Sequence, residues 1–122
     1  MPVERITREQ LKERLDRGDK PVILDVRLKY AYEHSTVKLP GAIRVSPYEV
    51  GSANIPAGSE IVAYDSDPNE IVSTHVASEL RRNGYQVTVL KGGLPEWLAA
   101  NLPIETKEAP RSAPPAPGSL KG

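Results

Sequence analysis

Apolar and polar positions alternate in blocks along the chain, and the blocks change period. Residues 7–18, "TREQLKERLDRG", carry Leu11 and Leu15 four apart on an otherwise charged segment, which predicts a helix. Thr7 can cap it with Gln10 as the reciprocal partner, and Gly18 can end it. "PVILDV" is a near-continuous apolar run and predicts a strand covered on both faces, as in a parallel sheet. "LKYAYEHS" predicts a short helix, "TVKLPG" a loop, "AIRVS" a short strand and "PYEVGS" one helical turn. "EIVAYD" predicts a second buried strand. "EIVSTHVASELRRNG" predicts the longest helix, with Ile71, Val72, Val76, Leu80 and one of His75 or Ala77 as its apolar stripe and Gly84 as its stop. "YQVTVL" is rich in β-branched residues and predicts a strand. "GG" is a turn, and "LPEWLAANL" a last helix with Pro95 near its start. Strands alternating with helices over about 100 residues predict an α/β fold with a mostly parallel sheet.

Composition narrows the functional classes. The 122 residues suit one domain. Sixteen basic residues balance sixteen acidic ones, so nothing calls for nucleic acid or an anionic membrane. No apolar run approaches the length of a membrane span, and the start is charged from Glu4, unlike a secretory signal. These features predict a soluble, cytoplasmic monomer. Cysteine is absent, which excludes disulfides, thiolate metal sites and a cysteine nucleophile. With no phenylalanine, Trp97 and five tyrosines carry the aromatic packing. From Glu105 onward the chain turns to Pro and small residues. Residues 106–122 read as a Pro-rich disordered tail, and residues 1–105 as the folded domain.

The candidate chemistry lies at "YDSDPNE". A strand runs into a helix there, a junction that ordinarily offers bare N–H groups to an anion. The sequence instead places Asp65, Asp67 and Glu70 within six positions. These oxygens could serve a hard cation. An EF-hand pattern begins with Asp65, Asp67 and Asn69, but fails at Glu70, where Gly is needed, and at Val76, where a bidentate Glu is needed. Strand-Asp-x-Asp also resembles the nucleophile motif of haloacid dehalogenase-like phosphatases, which would make Asp65 and Asp67 a metal-assisted phosphohydrolase pair. The residues that should follow are missing. Ser66 has no base at an obvious spacing from His34 or His75. Those two histidines, Lys91 and the Arg81–Arg82 pair read as packing or solvated residues.

The order of the blocks resembles a rhodanese homology domain over residues 5–105. "VILDVR" is similar to the family's first signature, with Asp25 and Arg27. "LPGAIRVS" is similar to its Pro-Gly-Ala turn, with Pro40 and Gly41. "VLKGGLPEWLAANLPIE" is similar to its closing segment, with Gly92, Gly93 and Trp97. These seven residues are structural members of the motif. The resemblance implies a parallel sheet of about five strands flanked by helices. It also makes 65–70 the catalytic loop, where active members carry a persulfide on Cys. One branch has the loop Cys-x-Cys-Pro-Asn-Glu; this chain keeps its frame as Asp65, Ser66, Asp67, Pro68, Asn69 and Glu70. A carboxylate cannot hold a sulfane sulfur. The resemblance therefore implies a sulfurtransferase homologue without a catalytic residue, needing no cofactor or metal, and acting as a binding or regulatory module with a protein partner. In that loop Asp65 could satisfy the anion cradle with its own charge, with Asp67 and Glu70 repelling other anions.

Overall fold

The computed structural model describes residues 3–52, 55–56, 58–67 and 69–107. Five parallel strands form one sheet: β1 (Glu4–Ile6), β2 (Val22–Asp25), β4 (Ile43–Arg44), β5 (Glu60–Tyr64) and β6 (Gln86–Leu90), in the order β1-β6-β5-β2-β4. Strands β3 (Val37–Lys38) and β7 (Glu105–Thr106) pair antiparallel beside it. The helices are α1 (Arg8–Asp16), α2 (Lys29–Glu33), α3 (Ile71–Arg82) and α4 (Gly93–Ala99), with a 3₁₀ turn at Val50–Ser52. This is the α/β architecture the pattern predicts.

The period-two alternation of the strands separates two cores. Val62, Tyr64, Ile23 and Leu90 face Leu11 of α1 and Leu94 and Trp97 of α4. Ile61, Ala63, Leu24, Val87 and Val89 face Val76, Ala77 and Leu80 of α3. Burial on both faces accounts for the apolar runs. Thr7 and Gln10 close the expected capping box, the Gln10 amide donating to Thr7 Oγ1 at 3.0 Å and the Thr7 amide to Gln10 Oε1 at 2.9 Å.

Four local expectations change. "ERI" forms edge strand β1, which the sequence pattern did not suggest because three residues carry too little periodicity. The segment read as a loop contains β3, whose partner β7 is sixty-odd residues away in the chain. Strand β7 takes Glu105 and Thr106, and the Lys107 amide donates to the Thr36 carbonyl at 2.9 Å, so backbone pairing runs past residue 105. The rest of the expected tail, 108–122, lies outside the described residues. On α3, Ile71 is 65% exposed whereas Ser73 is fully buried. The stripe is displaced because the first turn of α3 faces the preceding loop rather than the sheet.

Strand order places the site. The chain leaves β2 toward β4 on one side and β5 toward β6 and β1 on the other. The connections therefore diverge between β2 and β5, and the loop after β5 sits at the carboxyl edge of that switch point, where open α/β sheets place ligands.

Candidate functional site

The chain leaves β5 at Tyr64 and reaches α3 through residues 65–70. Asp65 is buried, and both its oxygens point inward. Oδ1 accepts the Asp67 amide at 2.8 Å, and Oδ2 accepts the Ser73 amide at 2.6 Å. The second bond satisfies one of the bare N–H groups in the first turn of α3, where the helix dipole also favours negative charge. Burial raises the Asp65 carboxyl above its ordinary value, against the Ser73 and Asp67 amides, which favour the ionised form. The Asp65 carbonyl accepts the Leu94 amide at 2.8 Å, tying the loop to α4.

Asp67 does other work. Its Oδ1 accepts the Asn69 amide at 2.8 Å, an Asx-type turn, and its carbonyl accepts the Glu70 amide at 2.9 Å. Ser66 is half-buried and Asn69 exposed. Pro68 lies outside the described residues.

Glu70 departs most from the expectation of three acids crowding one point. It takes a left-handed backbone (φ 60°), unusual for a residue with a Cβ. Its carboxylate is buried and turns away from Asp65 toward β1. Arg5 Nε donates to Oε1 at 2.6 Å and Arg5 Nη2 to Oε2 at 2.7 Å, and the Gly92 amide adds a bond to Oε2 at 2.9 Å. Burial opposes ionisation, but Arg5 and the Gly92 amide outweigh it and hold the carboxyl below its usual range. So Glu70 is neutralised within the fold and adds little to the field at Asp65. Arg5 was invisible as a partner because its strand was; no local signal links it to Glu70.

Gly92 and Gly93 do more than turn the chain. Both have positive φ. A Cβ on Gly93 would stand 2.6 Å from the Asp65 carbonyl oxygen, so glycine alone allows the start of α4 to close against the loop. Trp97 is fully buried and donates Nε1–H to the Pro103 carbonyl at 2.7 Å, which fixes the chain leaving α4.

Asp25 and Arg27 form a buried pair at the end of β2. Arg27 Nη2 reaches Asp25 Oδ2 at 2.6 Å and Nε reaches Oδ1 at 2.9 Å. Tyr64 donates its hydroxyl to Asp25 at 3.0 Å and accepts the Leu39 amide at 3.2 Å. Arg27 Nη2 also holds the Val37 carbonyl at 3.1 Å. Burial pushes the Tyr64 phenol up. The network ties β2, β5 and the segment before Pro40 together. Gly41, at φ 72°, makes the turn in which the Ala42 amide donates to the Leu39 carbonyl.

Among the described residues, no group of three or more His, Cys, Asp or Glu is placed to hold a metal ion. No helix among them is long and apolar enough to cross a membrane.

Comparison with known proteins agrees with this fold. No curated protein matches the chain. Solved structures do. A protein from Anabaena sp. is 28% identical with a TM-score of 0.68, over 82% of this chain and 81% of that one. A full-length protein from Lactobacillus plantarum is 25% identical with a TM-score of 0.72, over 84% and 88%. The thiosulfate sulfurtransferase of Pseudomonas aeruginosa shares the fold at 23% identity and a TM-score of 0.70, over 88% of this chain and 20% of that one. The rhodanese-like domain family matches residues 7–100. With that match spanning most of its length, the chain belongs to the rhodanese-like domain family.

Proposed function

We propose that this chain is a rhodanese-like domain without sulfurtransferase activity, acting as a binding or regulatory module, in which Asp65 stands where active members carry the nucleophilic Cys. The supporting observation is the inward Asp65 carboxylate, which takes the Asp67 and Ser73 amides that would otherwise be offered to an anion. A thiolate nucleophile needs a soft sulfur that can accept a second sulfur, and the chain contains no cysteine to supply one. A dianionic substrate approaching this loop meets a filled cradle and the charge of Asp65. At ~4 Å and an effective dielectric of about 20, one such like-charge contact costs on the order of 4 kcal/mol before salt screening.

Glu70 and Gly93 explain why the loop frame persists without its nucleophile. They bind the loop to β1 and α4, so the frame stabilises the fold independently of sulfur chemistry. The phosphohydrolase alternative needs the Asp65 and Asp67 carboxylates to converge on a metal-bound substrate. Asp65 spends both oxygens on amides, and Asp67 turns to Asn69, which speaks against it.

The test is thiocyanate formation from thiosulfate and cyanide by the purified protein. The proposal expects no rate above the protein-free blank. Sustained turnover would overturn it.

A further inference from the structure

A second charged cluster lies at the carboxyl end of β2 and β4, centred on Tyr32 rather than on the loop. Lys107 Nζ stands 3.8 Å from the centre of the Tyr32 ring, Arg44 Cζ 4.4 Å and Arg27 Cζ 5.2 Å. No two of these charges lie farther apart than about 10 Å, roughly one Debye length at an ionic strength of about 0.1 M, so they repel one another.

Among the described residues, the acids near them do not balance them. Asp25 is spent on Arg27. Glu33, exposed on α2, is the other acid acting on Lys107. Arg44 Nη1 goes to the main-chain carbonyls of Asp25 and Arg27, and Lys107 Nζ to the Tyr32 carbonyl. Among the described residues, neither Arg44 nor Lys107 has a carboxylate within 4.0 Å. Arg27 is fully buried, and its Nη1, on the side of the guanidinium away from Asp25, has no acceptor among the described residues. Native structures rarely leave such a donor bare without a reason. Burial and the Arg27 and Arg44 charges hold the Lys107 ammonium below the ordinary lysine value, as expected where an added anion would bring relief.

We propose that Arg44 and Lys107, backed by the buried Arg27 and seated on Tyr32, form a binding site for a tetrahedral dianion of the phosphate or sulfate class. The planar fork of Arg44 suits two oxygens of such an ion, and the Lys107 ammonium supplies a point charge. Arg44 and Lys107 are half-buried, so solvent still reaches the site. It shares no residue with the loop at 65–70 and takes its ligand without Asp65.

The test uses the full chain, followed by NMR of backbone amides and of the Arg Nε and Lys Nζ signals. Inorganic phosphate and phenyl phosphate are titrated, with sodium chloride at matched ionic strength as control. Saturable shifts centred on Tyr32, Arg44 and Lys107, absent with chloride, are expected. Tighter inorganic phosphate assigns the free ion, and tighter phenyl phosphate a monoester. Arg44→Gln and Lys107→Gln, checked as folded by circular dichroism, should each weaken binding by tenfold or more. Should one variant unfold, the side-chain shifts in the unsubstituted protein and the other variant decide. The proposal is overturned if chloride reproduces the shifts, if they are confined to Asp67 and Ser73, or if the folded variants bind like the parent.

Discussion

Glu70 and Arg5 stand 65 positions apart and meet in a two-point pair, Nε to Oε1 at 2.6 Å and Nη2 to Oε2 at 2.7 Å. This pair fastens an edge strand to the loop at the centre of the proposed function. It also offsets a left-handed backbone at Glu70 that a side chain rarely adopts. Replacing Glu70 by Ala keeps the backbone strain and leaves the Gly92 amide without its acceptor. A loss of about 1–3 kcal/mol in urea unfolding is expected. Glu70→Gly removes the strain as well and should lose less.

The two buried carboxylates of the loop should titrate in opposite directions. Burial raises Asp65, whereas Arg5 and the Gly92 amide overcome burial and lower Glu70. The Ser73 and Asp67 amides should report a midpoint above the ordinary Asp value of about 3.9, and the Gly92 amide one below the ordinary Glu value of about 4.3. The stability signs follow. Asp65 binds its proton more tightly in the folded state, so its contribution falls as pH rises from about 4 through its folded midpoint. Glu70 binds its proton less tightly when folded, so its contribution is present above about pH 4.3 and is lost as pH falls through its folded midpoint. An NMR pH titration measures both; midpoints in the reverse order would refute the assigned environments.

Gly93→Ala tests the closure of α4 on the loop. Its Cβ would meet the Asp65 carbonyl at 2.6 Å and would force a left-handed conformation on alanine. A destabilisation of about 1–3 kcal/mol is expected, with the largest amide shifts at Asp65 and Leu94. A neutral effect would mean the contact is not tight.

Arg27→Leu leaves Asp25 as a buried, unpaired charge. The expected cost is about 3–5 kcal/mol. Adding Asp25→Leu removes that stranded charge, so the double variant should recover part of the loss. Additive losses in a double-mutant cycle would contradict a coupled pair.

The strands β2, β5 and β6 and the helices α1 and α3 were legible because each carries a sustained apolar period. The shorter α2, β4 and α4 and the turn at Val50–Ser52 were legible too, but β1, β3 and β7 were not. Strand β1 has three residues, and β3 and β7 have two each, so only their distant partners define them. At the site, the strand-to-helix loop and its acids were legible, but their division of labour was not. Asp65 faces Ser73 of the following helix, within reach of sequence reasoning about caps. Glu70 faces Arg5 through a sheet register that sequence spacing does not encode. The sequence places Asp67 and Glu70 beside Asp65 to repel an incoming anion, whereas the fold turns Glu70 to Arg5 and Asp67 to the Asn69 amide.

The central claim is that Asp65 fills an otherwise competent anion cradle. Asp65→Cys combined with Asp67→Asn tests it most directly, since Asn can still accept the Asn69 amide while its negative charge is gone. The variant is reduced, freed of reductant, incubated with thiosulfate and weighed by intact-protein mass spectrometry. Attack of the thiolate on the outer sulfur of thiosulfate forms a persulfide and releases sulfite. The account predicts a gain of one sulfur atom per chain, removable by cyanide as thiocyanate. An unchanged mass in a folded variant would show that the loop is no longer a cradle for a sulfur anion, and would contradict the account.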